Sequence, residues 1–220
     1  MMEITQTPLF KEKWGSFQGA YLLADVTNSP TSPALWAEIE AECQSLRDAF
    51  TPDSVKLRSG IAATRAAYRA CGKDPSRYRP ACEQLARRVL QGKRLYSVNT
   101  LVDLGNLVSL RCGYATGLLD ADRVVGNVAL GIGRADETYE GIGRGSLNIE
   151  GLPVYRDEEG PIASPTSDST RTMLSMDTRR LLFIINAYDG DEANICATID
   201  YAKDLLIRYG ESKKVENGRF

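Results

Sequence analysis

The chain has 220 residues, 43% apolar and 25% charged, with a net charge of −2; this balance supports one packed core and argues against disorder. It contains no histidine, which excludes Ser-His-Asp and Cys-His catalysis, histidine phosphotransfer and His-ligated haem. Any chemistry is left to carboxylates, amides, hydroxyls and backbone groups.

In chain order, Ser16–Val26 reads as a strand, aromatic and β-branched at its ends. Ser32 and Pro33 form a helix start, Ser as the cap and Pro at the first helical position, for a helix over Ala34–Phe50. A second helix is predicted from Val55 to Cys71, stopped by Gly72. Its Arg58, Arg65 and Arg69 fall on one stripe. Pro80 opens a third helix and Gly92 closes it, with Cys82, Leu85, Ala86 and Val89 as the buried face. The fourth helix, Asn99–Cys112 before Gly113, is apolar nearly all round and therefore buried. Yet Asn99, Asp103 and Asn106 recur at i, i+4 and i+7. Polar groups on a buried helix cost free energy unless they are hydrogen-bonded, so this stripe either ties down loops or faces a cleft.

After Asp120 the pattern changes. Val124–Leu130, Glu137–Ile142, Leu152–Tyr155 and Leu181–Tyr188 are short strand candidates between Gly, Pro and Asp clusters. A last helix spans Asp191–Arg208, with acids in its first turn. Helices first and strands later predict an α+β fold, helices packed on a mixed or antiparallel sheet, in one domain over 1–220.

The net charge hides a segregation. Residues 56–94 hold eleven Lys and Arg against Asp74 and Glu83, a local charge of +9. Such a block points to a polyanion contact, or to a solvated helical face. The five cysteines are odd in number and lack CxxC spacing; reduced thiols are expected, with Cys82, Cys112 and Cys196 buried among apolar neighbours. No metal site and no cofactor are expected. GIGR occurs twice, at Gly131–Arg134 and Gly141–Arg144, but neither copy completes GxGxxG, so turns and bulges explain the glycines better than a phosphate cradle. Ser164–Thr178 holds eight Ser/Thr and reads as a loop satisfying its own backbone, or as a hydroxyl rim for a polar ligand. No apolar run approaches the roughly 20 residues of a membrane helix, and Met1–Phe10 lacks a signal-peptide pattern, so the sequence predicts a cytoplasmic chain with no membrane contact.

Taken together, Asp74–Leu130 and the segments after it resemble the tRNA-editing module of the beta subunit of bacterial phenylalanyl-tRNA synthetase, in a freestanding form. The matching residues are Arg77 with Arg79 and Pro80, Arg87–Arg88–Val89, and the Val102–Asp103–Asn106 core with Ser109 and Gly113. Leu119–Asp120, Glu137, Tyr139–Gly143, Asp168–Ser169, Arg171–Thr172 and Thr178 continue the match. It covers residues 57–187 and leaves 1–50 outside. Two positions depart from it: no His precedes Asp120 (Ala115–Thr116–Gly117–Leu118), and Leu181–Asn186 lacks a Glu. The resemblance therefore implies the editing fold and reaction class, not the amino acid or tRNA.

What it implies is an aminoacyl-tRNA deacylase that cleaves a mischarged ester with a positioned water. Asp103 is expected to orient water or the ligand's amine, held by Asn99 and Asn106. Asp120, Glu137, Ser167, Asp168, Ser169 and Thr178 are expected to bind substrate, and Arg58, Arg65, Arg69, Arg77 and Arg79 to contact the tRNA near its aminoacylated 3′ end. The rival readings are an RNA-binding module without turnover, and an enzyme or sensor for a small polar metabolite such as an amino acid. The sequence leaves the oligomeric state open.

Overall fold

In the computed structural model, which describes residues 2–220, a short strand β1 (Ile4–Gln6) leads into helix α1 (Pro8–Lys13). The Thr7 hydroxyl accepts from the Phe10 N–H and Pro8 pre-sets the first turn. Strand β2 (Gln18–Asp25) follows, then helix α2 (Pro33–Ala49), capped by the Ser32 side chain on the Leu35 N–H as its sequence predicts.

The helix expected from Val55 is interrupted. A single 3-10 turn covers Val55–Leu57, Arg58 is extended, and helix α3 (Ser59–Ala70) starts after it. The break has a use. It frees the Arg58 guanidinium to donate to Leu110 O at 2.5 Å and to Arg111 O, the last carbonyls of a later helix. Those carbonyls have no intrahelical partner and carry the negative end of the helix dipole.

Helix α4 (Ala81–Leu90) follows Pro80, and helix α5 (Thr100–Cys112) is capped by the Asn99 side chain on Val102 N–H at 3.0 Å. Gly113, at φ +80°, ends α5 in the left-handed conformation that glycine adopts without strain. Then come strand β3 (Ala115–Asp120) and strand β4 (Val128–Ile132), and a small hairpin of β5 (Glu140–Gly141) and β6 (Gly145–Ser146). Strands β7 (Pro153–Asp157), β8 (Gly160–Ala163) and β9 (Arg180–Ala187), helix α6 (Glu192–Tyr209) and strand β10 (Val215–Arg219) complete the chain.

The strands form two four-stranded sheets, β10-β2-β9-β3, all antiparallel, and β1-β4-β7-β8, where β1 runs parallel to β4. Side chains alternate across a strand, and β9 uses both faces. Leu181, Phe183 and Ile185 enter a core with α2, α4, α5 and α6, while Leu182 and Ile184 enter a second core with Val128, Leu130, Tyr155 and Ile162 of the other sheet. A strand buried on both sides needs an unbroken apolar run, and Leu181–Ile185 supplies it. The result is a helical layer, a sheet and a second sheet, the α+β architecture expected from the sequence.

Several short elements were not predicted: β1, α1, β3, β8 and β10. Others shrink. The strand expected from Val124 begins at Val128, because the Asp157 carboxylate holds the Val125 N–H at 2.9 Å and Gly126 turns the chain at φ +72°. Among the cysteines, all free, Cys82 is buried, Cys112 is half-buried and Cys196 is exposed, which corrects the expectation for the last. Its position on the outer face of α6 places it beside Glu192 and Arg219 rather than in the core. Among the described residues, no helix is long and apolar enough to cross a membrane, and no cluster of His, Cys, Asp or Glu could hold a metal.

Candidate functional site

A cavity of about 590 Å³ lies between the helical layer and the Ser/Thr-rich loop. Helix α4 presents Ala81, Gln84, Leu85 and Arg88 to it, the i, i+3, i+4, i+7 face of one helix. Helix α5 presents Asn99, Val102, Asn106 and Ser109, and β3 adds Thr116 and Leu118. Across from them stand Ser164, Thr166, Ser167 and Asp168, with Ile142 and Arg144 from the hairpin region.

The Ser/Thr-rich loop is held rigidly. Ser164 and Ser167 exchange backbone bonds at 3.1–3.2 Å, and the Ser164 hydroxyl donates to Ser167 O at 2.9 Å. Tyr139 donates its hydroxyl to the same carbonyl at 2.6 Å, and Thr166 is tied to the Tyr68 hydroxyl at 2.9 Å. Ile142 N–H donates to Asp168 O, and Ala81 N–H to Pro165 O. The hydroxyls thus satisfy backbone groups, the first of the two sequence readings, and the loop also walls a cavity.

Asp168 is the chemically distinctive group. Its side chain is partly buried in the cavity wall, accepts one bond from the Leu118 N–H at 3.1 Å, and lies beside Gly117 at ordinary contact distance. Burial pushes its carboxyl from the usual 3.8 up to about 7, and the single N–H opposes this weakly. Among the described residues no cation pairs with it. In a protein without histidine, this is a group that takes up and releases protons near neutral pH.

The expectation for Asp103 is corrected. It is almost fully buried and lies outside the cavity, accepting from Thr31 Oγ1 at 2.5 Å, Ser97 Oγ at 2.8 Å and Val98 N–H at 3.1 Å. One residue along a helix turns the side chain by about 100°, so Val102 and Asn106 face the cavity and Asp103 faces the loops beside it. Its work is to clamp the segment before α5 to the turn before α2. Asp103→Ala leaves those donors without their acceptor. Chemical denaturation should show a loss of about 2–3 kcal/mol, whereas an undiminished stability would contradict the clamp.

The other predicted residues divide. Asn106 and Asn99 line the cavity, and the Asn99 Oδ1 is taken up as the α5 cap. The Asn106 amide is half-buried with no side-chain partner among the described residues. Ser167 and Asp168 line the cavity; Ser169 instead caps the turn at Thr170–Thr172, accepting from Arg171 N–H. Asp120 and Thr178 do not reach it: the Thr178 hydroxyl donates to Asp120 at 2.8 Å in a buried pair. Glu137 is held by Arg156 and Arg134 on the second sheet.

Among the arginines, Arg58 caps α5. Arg65 and Arg79, with Arg87, surround the fully buried Glu83 carboxylate, at 2.8, 3.5 and 2.8 Å. Lys73 is buried too, donating to Asn148 O and Glu150 O. Much of the basic block is thus internal bonding, and the contacts expected of Arg58, Arg65 and Arg79 are used within the fold. Arg69 and Arg77 are exposed, along with Lys56, Lys93 and Arg94.

Sequence reasoning missed Gln84, Arg88, Arg144, Thr116 and Leu118. The α4 face carries a local signal, the i, i+3, i+4, i+7 spacing of Ala81, Gln84, Leu85 and Arg88. Arg144, from the second GIGR, donates to Gln84 Oε1 and so joins hairpin to helix at the cavity's edge. Nothing in the local sequence announced that.

Set against known proteins, the chain has no match among curated proteins. Among solved structures it is similar to an N-terminal fragment of the phenylalanyl-tRNA synthetase beta-subunit from Pyrococcus horikoshii, with 11% identity and a TM-score of 0.51. The match covers 97% of this chain and 50% of that one, so the chain spans about half the length of the fragment. At this identity the likeness is one of fold. The B3/4 domain family matches residues 63–210, well over half of the sequence, including both cavity-lining helices, β3 and the Asp168 loop. The chain therefore belongs to the B3/4 domain family.

Proposed function

We propose that this chain hydrolyses the ester linking an amino acid to tRNA, an editing reaction, with Asp168 as the general base. The observation that carries the reading is a carboxylate of raised proton affinity in the wall of a cavity otherwise lined by amides, hydroxyls and apolar side chains, with arginines at its edge. The likeness in fold to the synthetase fragment supports the choice of substrate class.

An aminoacyl ester is intrinsically labile, so little beyond positioning is required. Asp168, ionised, accepts a proton from a water that attacks the ester carbonyl. The tetrahedral oxyanion needs donors, and the Asn106 and Asn99 amide NH2 groups are the candidates among lining groups. The ribose oxygen leaves as the carbonyl re-forms and takes up the proton. Leu85, Val102, Leu118 and Leu174 give the amino-acid side chain an apolar wall. With its five free thiols, we place this activity in the cytoplasm.

The test is a panel of misacylated tRNAs, scored by release of the amino acid over the enzyme-free rate. The base must be deprotonated, so kcat/KM should rise through about pH 7 and level off above it. No ester loss on any substrate would defeat the proposal. The second reading is an RNA-binding module without turnover. It is favoured by Asp168 being the single acidic side chain among the lining residues, so that one group would have to take the proton from water and also return it to the leaving oxygen. It would show as tRNA retention with intact esters.

A further inference from the structure

At the mouth of the cavity the chain between α4 and α5 displays Tyr96. Aromatic side chains of this size are ordinarily withdrawn from water, yet Tyr96 is 73% exposed and its neighbour Val98 62% exposed. The Arg88 guanidinium lies 4.3 Å from the ring centroid. It is fixed there by its Nε donating to the Arg94 carbonyl at 2.8 Å. With one face of the ring covered by a cation and the residue still this exposed, the other face is open. Arg88 and Val98 also line the cavity, so ring, guanidinium and cavity form one continuous surface.

Its charge is one-sided. Residues 84–102 contain Arg87, Arg88, Lys93 and Arg94 and no acid. Arg87 is bound to Glu83; Arg88 lies on the ring, and Lys93 and Arg94 are exposed on the same connecting segment, where they line a second hollow with Glu40 and Arg47 of α2. An open aromatic face backed by a guanidinium, on a segment with two further exposed cations, suits a base together with its phosphate, and suits an apolar protein partner poorly.

We propose that Tyr96 is a stacking platform for an unpaired base at the 3′ end of RNA, with Arg88, Lys93 and Arg94 receiving its phosphates. This rests on the reading of the cavity as a site for an RNA-borne ester, and it explains how such an ester is brought there. Stacking holds the strand end at the rim, and the aminoacyl group enters beside Arg88. Discrimination among strand sequences is weak here, because every base offers a π-face.

The probes are a labelled RNA hairpin ending in an unpaired CCA and the same hairpin trimmed to a blunt end. The wild type should bind the overhang more tightly. Tyr96→Ala should weaken overhang binding roughly tenfold and erase the difference from the blunt hairpin. Tyr96→Phe, which keeps the ring, should bind as wild type. Melting temperatures should not move, since the side chain is exposed.

If wild type prefers the overhang and Tyr96→Ala does so equally, the platform is overturned while the RNA-ester reading stands. If wild type shows no preference but hydrolyses aminoacyl-tRNA, the platform again falls alone. If it neither binds RNA nor releases amino acid from any charged tRNA, both fall.

Discussion

Asp168→Asn should abolish ester hydrolysis and, at pH 8, leave the protein more stable than the wild type. The two effects have one origin. The carboxyl is pushed up to about 7 by burial, so between about pH 4 and 7 the folded state binds a proton that the unfolded state has released. Stability contributed by this group is therefore present at low pH and falls as pH rises through the folded value. At pH 8 the native protein carries a desolvated, unpaired carboxylate. A shift of this size corresponds to at most about 4 kcal/mol. Water reaches the cavity, so a gain on the order of 2 kcal/mol is expected for Asn, vanishing near pH 4. Urea melts at pH 4, 6 and 8 measure it. A wild-type–variant difference that does not change with pH would mean that the carboxylate is solvated, and the argument for a neutral-pH base would go with it.

Glu83→Ala should cost about 3–5 kcal/mol, the largest loss for a change outside the two main apolar cores. The carboxylate is inaccessible to solvent and is approached by Arg65, Arg79 and Arg87. Removing it leaves cations from α3, the segment before α4, and α4 itself facing one another without a counter-charge. Glu83→Gln keeps an acceptor in place and should lose roughly half as much. Thermal and urea unfolding report both, and a loss below about 1 kcal/mol for Ala would show that the arginines simply turn to water. Because Gln84 and Arg88 of α4 line the cavity, any loosening of this helix should also lower turnover in the Gln variant.

How much of this was legible beforehand depends on the range of the interactions. Helices α2, α4, α5 and α6 were visible because their caps and apolar faces are local: Ser32–Pro33, Pro80, Asn99 and Gly113 each act within a few residues. Arg58 shows the limit. It reads as part of a helix and of a basic stripe, but its guanidinium is committed to carbonyls 52 and 53 residues away. The short strands β1, β8 and β10 were missed because their pairing is defined by partners elsewhere, not by their own alternation.

The site was half legible. Asp168, Ser167, Asn106 and Asn99 were named and line the cavity. Asp103 was given the central role because spacing alone cannot tell i+3 from i+4 when one side chain faces a hollow and the other a clamp. What raises the proton affinity of Asp168, namely burial beside Gly117 with a single N–H donor, exists only after β3 and the loop meet.

Because β9 gives alternate side chains to both cores, neither sheet nor helices can yield independently. Strand β3 is hydrogen-bonded to β9 along its length, so Thr116 and Leu118 form a floor that does not move. The opposite wall, the loop at 164–168, is tied as fully to Tyr68, Tyr139 and the start of α4, so the hollow lies between two fixed walls. On the proposed reading, a ligand of the wrong size is refused by walls already in place rather than accommodated by their movement.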